Sequence, residues 1–365
     1  MLPKLLTVII SMFNQEPDIK KMGFLSSFFK TPPDGFTDAE YMEYDIVRSG
    51  MEVAPVVRTL SSGSVTIVED EYINKHMPYP VYSLDSPVHN AKLMHRQPGE
   101  NSYIDEKMNW LGMLARILVR QFASMTRMVR YAIELQAAQV LQQGTLTLTD
   151  ENGTPTYILD FLPKKSHFPT AIVSFDDENA DVMNDIEVLS DTIKVDGYCD
   201  ITTLIFGTDA WKAAYKNIEF REAVKKDNLG MGDLNPALVG KGAKFMGYLH
   251  IGAYRYDLYL YNAMYMPWGQ KTPERFVDPK KIIFLPDVEE LDFRRMFGGI
   301  PTVNVDAVFD PIFGNKIPID NEYDFKSRVY FDNKLNTFVG EIKSRPASIP
   351  VSIDRYGCLT AIHDK

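Results

Sequence analysis

The chain has 365 residues, of which 45% are hydrophobic, 24% charged and 12% aromatic, a globular composition that excludes a mainly disordered or collagen-like protein. Lysine and arginine number 39 against 49 aspartates and glutamates, so the formal charge is -10; such a surface repels phosphate at long range and disfavours a dedicated nucleic-acid binder. The length suits two domains or one elaborate one, and the 2 cysteines, Cys199 and Cys358, are too few for a secreted disulfide framework, so a reducing compartment is expected.

The first residues, MLPKLLTVIISMF, place Lys4 before an apolar run from Leu5 to Phe13. The outline is that of a signal-peptide core, but NQEPDIKK follows with no small-x-small cleavage site, so an apolar arm that docks on something is expected. No stretch reaches the roughly 18 uninterrupted apolar residues of a membrane-spanning helix. After the breaker run Thr31-Pro32-Pro33-Asp34-Gly35, the pattern from Phe36 to Val57 turns strand-like. Residues 59 to about 100 hold only short strand candidates, at Val65 to Val68 and at Val81, Tyr82 and Leu84, among Pro78, Pro80, Pro87 and Pro98. A segment of roughly 40 residues without firm structure is uncommon inside a compact domain. This one carries Tyr72, Ile73, Tyr79, Leu93 and Met94, too apolar for a solvated linker. It reads either as a projecting β-ribbon that buries its apolar side on another chain or as a meander packed on its own domain.

Asn101 to Asp105 then opens the longest helix, Lys107 to Gln143, which has no proline and only Gly112 as a weak point. Unbroken, it spans on the order of 55 Å. Arg116, Arg120, Arg127, Arg130 and Glu134 share one stripe, while Trp110, Leu114, Leu118, Phe122, Met125 and Val129 occupy other faces. The stripe is either a solvated face or a set of ion-pairing groups for a neighbouring subunit. Gly144 ends the helix, and alternation on both sides of Asp150-Glu151-Asn152-Gly153 predicts a hairpin from Thr145 to Phe161. From about 176 helix and strand alternate. Val182, Ile186, Leu189 and Ile193 mark one helix, and Thr203 to Phe206 is a buried strand. Asp209 is the expected N-cap of a helix carrying Trp211, Ala214, Tyr215 and Ile218. A glycine-rich connection from Gly230 to Gly242 follows, then strand-like residues from Tyr248 to Met266 and a short strand from Lys281 to Leu285 stopped by Pro286. Beyond Phe297-Gly298-Gly299 the expected strands are Arg328 to Phe331, Phe338 to Ile342 and Ile349 to Ile353.

Catalytic patterns are missing. No G-x-S-x-G elbow, phosphate-binding loop or H-E-x-x-H run is present. Gly240-Lys241-Gly242 lacks the third glycine of a dinucleotide fingerprint. Asp177 to Asp181 mimics a calcium loop, but Val182 and Val188 stand where glycine and glutamate are needed, so an acidic helix start is the better reading. The 6 histidines are scattered and no C-x-x-C pair occurs, so no metal, cofactor or enzymatic activity is expected. Weight shifts toward a protein whose work is assembly. An α/β enzyme with a β-rich second domain stays open as the alternative from another class.

The order of elements resembles the tailed-phage major capsid fold, and the chain is similar to the phage lambda major head protein family. The resemblance is carried by Phe28-Phe29-Lys30 with Gly35-Phe36-Thr37 and MEVAPVV at 51–57. It continues through Ile205-Phe206-Gly207-Thr208-Asp209-Ala210-Trp211, Phe245-Met246-Gly247-Tyr248, Arg294-Arg295-Met296-Phe297-Gly298-Gly299 and Ser344-Arg345-Pro346. It implies an α+β fold with an N-terminal arm at 1–48, an extended E-loop at 49–100 and a P-domain at 101–175 whose spine helix is 107–143. An A-domain at 176–302 and a return to the P-domain at 303–365 complete it. It further implies a structural protein that assembles with itself into hexamers and pentamers of an icosahedral head, with scaffold, portal and decoration proteins as partners. Packaged double-stranded DNA would be held without sequence-specific binding, no membrane would be involved, and assembly would occur in the host cytoplasm. An encapsulin-type compartment is the nearer alternative. On this layout the expected intersubunit contacts are Tyr72, Lys75, Tyr79, Tyr82, Arg116, Arg120, Arg127, Arg130, Arg294 and Arg295. Deletion of about 62 to 95 is expected to leave a folded subunit that does not assemble.

Overall fold

The computed structural model describes residues 23–33, 35–37, 41–48, 71–88, 110–150, 153–227, 237–240, 242–300, 325–334 and 337–363, with the side chains of 42–48, 71–77, 110–113, 227 and 237–240 left aside. The expectations for Leu5 to Phe13, Val65 to Val68, the Gly230 connection up to 236 and the stretch 303–322 fall outside these residues.

In chain order the elements are β1 (Tyr41–Arg48), β2 (Glu71–Pro78), β3 (Tyr82–Val88), α1 (Trp110–Gln143), β4 (Thr145–Thr149) and β5 (Pro155–Asp160). Then come α2 (Val182–Gly197), β6 (Ile201–Phe206), α3 (Thr208–Lys216), α4 (Ile218–Asp227), β7 (Ala237–Gly240), β8 (Ala243–Ile251) and β9 (Tyr254–Tyr261). The chain closes with β10 (Met264–Tyr265), β11 (Glu274–Arg275), β12 (Lys281–Pro286), β13 (Phe293–Phe297), β14 (Lys326–Asp332), β15 (Thr337–Ser344), β16 (Pro346–Pro350) and β17 (Gly357–Thr360).

A 6-stranded sheet in the order β17-β12-β6-β9-β8-β7 is the middle of three layers. Only β6 and β9 run parallel; its other pairings are antiparallel. Alternation along each strand sends Leu204, Phe206, Tyr256, Leu258, Ile282 and Phe284 to one face, where they meet Ile186, Leu189, Trp211 and Phe220 of α2, α3 and α4. Ile205, Tyr261, Ile283 and Leu285 point the other way, onto Ala137, Val140 and Leu141 of α1 and onto Leu146 and Leu159 of the β4–β5 hairpin. Each such side chain, fully buried, contributes about 2 kcal/mol. The earlier part of α1 makes a separate core: Leu114, Leu118, Phe122 and Met125 pack on Val88, Phe325 and Ile342 of the β14-β15-β3 sheet and its approach. One helix therefore joins two cores. It stops at Gly144, whose φ of 65° suits glycine and whose added Cβ would lie 2.6 Å from Pro163.

Several expected boundaries move. Asp209 is not the N-cap: α3 starts after Gly207, and its first amides, Asp209 and Ala210, donate to the Pro279 carbonyl at 3.0 and 2.8 Å. A Cβ on Gly207 would fall 2.3 Å from the Asp278 carbonyl oxygen, so the strand approach sets this start rather than a side chain. Ile218 does not extend that helix. Asn217 caps a new one, its Oδ1 accepting from the Phe220 amide at 3.2 Å, and Ile218 is 61% exposed at the start of α4. The Tyr248 to Met266 stretch is broken at Gly252, where φ is 54°, into the β8–β9 hairpin. The strand expected at Ile349 to Ile353 lies earlier, at Pro346–Pro350, and Ile353 begins a 3-10 turn.

The proline-punctuated segment holds two strands with different partners. Residues 71–78 pair with 41–48 as a separate two-stranded ribbon, in register from Tyr41 opposite Pro78 to Arg48 opposite Glu71. The boundary drawn at 48 thus cuts a strand pair. Residues 82–88 instead add to β15, and Val88 is 1% exposed in the α1 core. Deletion through 95 would therefore remove a core strand. The boundary drawn at 302 also separates partners, since β13 pairs with β16, and β17 returns to the 6-stranded sheet, with Cys358 in the core that the sheet shares with α1.

Candidate intersubunit surfaces

Residues 23–33 and 35–37 of the arm are held from both sides. A 3-10 turn, Leu25–Phe28, lies on α1, where the Glu134 carboxylate accepts from the Leu25 amide at 2.8 Å, the Ser26 amide at 2.9 Å and the Tyr261 hydroxyl at 2.7 Å. Glu134 is 2% exposed, so the lone acid of the arginine stripe serves the interior. The Arg295 guanidinium donates to the Ser26 carbonyl and, at 3.0 Å, to the Phe29 carbonyl. The arm then runs beside β13: the Lys30 amide donates to Phe293 at 2.9 Å, the Phe297 amide to Gly35 at 2.7 Å, and Phe29 and Phe36 stack on Phe293 and Phe297. In this way the exposed edge of a short strand is covered.

The expected contact residues separate into groups. Tyr72 and Lys75 fall on β2 of the ribbon, opposite Val47 and Tyr44. Arg116, Arg120 and Arg127 are exposed on α1. Arg130, one turn on, lies with its guanidinium 5.0 Å from the Phe325 ring centre. Tyr79 is 3% exposed in the subunit's own core, its ring against Gly298 and its carbonyl accepting from Arg345 at 3.4 Å. The Tyr82 hydroxyl accepts from Gln136 at 2.8 Å, and burial pushes its pKa up to about 12 despite that bond. Arg294 is bound to Asp292 by two 2.8 Å bonds, and Arg295 is committed to the arm.

Other buried polar groups gave no sequence signal. Gln136 also donates to the Pro346 carbonyl at 3.2 Å and accepts from the Ser348 amide at 3.2 Å, joining α1 to β16. His167 is fully buried, with Nδ1 3.0 Å from the Tyr356 carbonyl and Nε2 3.0 Å from Asp196, which also meets Lys164 at 2.9 Å. The one usable hint for Glu134 was a single acid in a row of arginines. Among the described residues, no group of histidine, cysteine, aspartate or glutamate side chains could hold a metal ion, and no helix is long and apolar enough to cross a membrane.

A long helix bridging two cores, an arm laid along a strand edge and a two-stranded ribbon built from distant segments are features of the tailed-phage capsid fold. The chain belongs to the phage major capsid protein E family, whose model matches residues 6–318. It is a structural major capsid protein, and the family places it in the virion shell assembled from copies of itself. Among solved structures it is similar to a putative capsid protein of an Escherichia coli CFT073 prophage, at 14% identity and a TM-score of 0.64, covering 99% of this chain and 98% of that one. It is also similar to a phage-related protein from Bordetella bronchiseptica RB50, at 12% identity and a TM-score of 0.50, covering 97% and 96%. A weaker likeness is to the holo-SrpI encapsulin of Synechococcus elongatus PCC 7942, at 9% identity and a TM-score of 0.42, covering 90% and 87%. No curated protein sequence matches.

Proposed function

We propose that the chain forms hexamers and pentamers of an icosahedral phage head that encloses double-stranded DNA, assembled in the host cytoplasm with scaffold, portal and decoration proteins as partners. The extended loop is built on the β1–β2 stem. The peripheral unit is α1 with β3, β14, β15 and the β4–β5 hairpin, and the axial unit is the 6-stranded sheet with α2, α3 and α4. Tyr72 and Lys75 on the ribbon, and Arg116, Arg120 and Arg127 on α1, are the groups of the expected set that meet neighbours. Tyr79, Tyr82, Arg130, Arg294 and Arg295 act first within the subunit and shape the surfaces that neighbours meet.

One observation carries this reading. Among the described residues the ribbon is a sheet of 2 strands with no further strand beside it and only a light approach of β1 to the 353–355 turn, and a pair with so little support is marginal in water. A neighbouring copy supplies the missing partner surface, and repetition of such modest contacts closes a shell. The net charge of -10 fits a container whose walls do not grip DNA. Negative-stain microscopy of the purified protein tests it. Closed particles of uniform size are expected, and a protein that stays monomeric at every concentration and salt overturns the proposal.

A further inference from the structure

Between β9 and β12 the chain leaves the sheet as a short finger, β10 and β11, closed by a turn in which the Gln270 amide donates to the Pro267 carbonyl at 3.2 Å. Its residues alternate: Ala263, Tyr265 and Pro267 are half-buried, while Met264, Met266 and Trp268 are 47%, 60% and 67% exposed. Tyr265 stacks near Phe276, with ring centres 4.8 Å apart, and its hydroxyl donates to Glu274 at 2.9 Å, so the finger has a fixed base and an apolar outer side. Scattered surface apolar groups are ordinary, but a period-2 row ending in tryptophan is the composition of a contact anchor.

A second apolar surface lies on the opposite layer of the molecule. On α2, Val188 and Val195 are 55% and 71% exposed, two turns apart on the side away from Ile186 and Leu189. Asp191 stands between them and Glu187 beside them, and Asp181 and Asp185 lead into the helix. On the same helix, Lys194 is bound to Asp200 at 2.7 Å. The finger is flanked by Lys271 and Arg275, with the Glu274 carboxylate between them taking the Tyr265 hydroxyl, so its rim is net cationic and the α2 face net acidic around their apolar centres. Because the finger sits on the α1 side of the sheet and α2 on the other, they cannot meet within one subunit. They can meet only between copies, and a front-to-back contact of that kind is heterologous, the type from which rings are built when its rotation closes.

We propose that the β10–β11 finger of one subunit docks Met264, Met266 and Trp268 on the Val188–Val195 face of α2 in the next subunit of the same ring, an inference that rests on the shell reading above. The test uses particles of the full chain carrying Trp268→Cys together with Val195→Cys; both native cysteines are buried and do not compete. Oxidation followed by non-reducing electrophoresis is expected to give a ladder of linked subunits. In parallel, Trp268 of unsubstituted particles is expected to oxidise several-fold more slowly with N-bromosuccinimide than in dissociated subunits, read by peptide mass spectrometry. Intact particles without a ladder, a ladder from Trp268→Cys with Ile158→Cys instead, or equal Trp268 oxidation in both states overturns the docking. Absence of particles from the unsubstituted chain overturns the shell reading first, and the docking with it.

Discussion

Glu134 shows how much one buried side chain can organise. It ties the arm to α1 through the Leu25 and Ser26 amides and reaches the 6-stranded sheet through Tyr261. Glu134→Ala leaves three buried donors without their acceptor and is expected to lower subunit stability by about 3 kcal/mol, measured by urea denaturation. Glu134→Gln, which keeps one acceptor oxygen, should lose less. Equal stability of the alanine variant and the parent would remove the clamp from the account. Glu341 carries a pH dependence. Burial raises its pKa, but the hydrogen bonds and charges of Arg328 and Lys343 outweigh burial and hold it below the ordinary 4.5. A carboxylate depressed in the fold binds fewer protons there than in the unfolded chain. Its contribution is therefore complete above 4.5 and is lost as pH falls through the lower folded value. Urea midpoints followed into acid should fall for the parent and fall less for Glu341→Gln; parallel curves would show that the ion pair adds nothing.

Among the elements, the ribbon and the neighbouring strand β3 behave oppositely although they are close in sequence. Among the described residues the ribbon's two strands pair only with each other, whereas β3 is stitched to β15 and buries Val88. Replacement of residues 49–70 by Asn-Gly joins Arg48 to Glu71, which already face each other, as a two-residue hairpin. We expect a soluble, cooperatively folding subunit with parental circular dichroism and no closed particles by microscopy. Parental particles from this variant would exclude the removed residues from assembly. A deletion extending through 95 should instead fail to fold, because β3 goes with it. The helix at 110–143 was legible because its apolar positions recur at helical spacing over many turns. The start of α3 was not, because a carbonyl of Pro279, distant in sequence, supplies what a capping side chain would.

At the scale of the whole molecule, exposed arginines act through repetition. Each of Arg116 and Arg120 is worth about 0.5 kcal/mol in one contact at the surface, yet every copy in a shell repeats it. Arg116→Glu with Arg120→Glu should make particles dissociate at lower denaturant, by more than any shift in the subunit's own denaturation midpoint, and gain stability less steeply as salt is reduced. Particles with parental resistance would assign the stripe to solvent. The sequence by itself determined the periodic elements, the hairpin between Thr145 and Phe161 and the order of parts that marks a capsid subunit, because each is written in local spacing or in chain order. Only the tertiary structure decided that Glu134 faces inward, that Tyr79 belongs to the core, that 71–78 and 82–88 part company, and that β13 and β17 find partners across the expected boundaries. Those outcomes depend on which backbone groups and surfaces, far apart along the chain, come within hydrogen-bonding and packing distance. Local pattern carries no term for that.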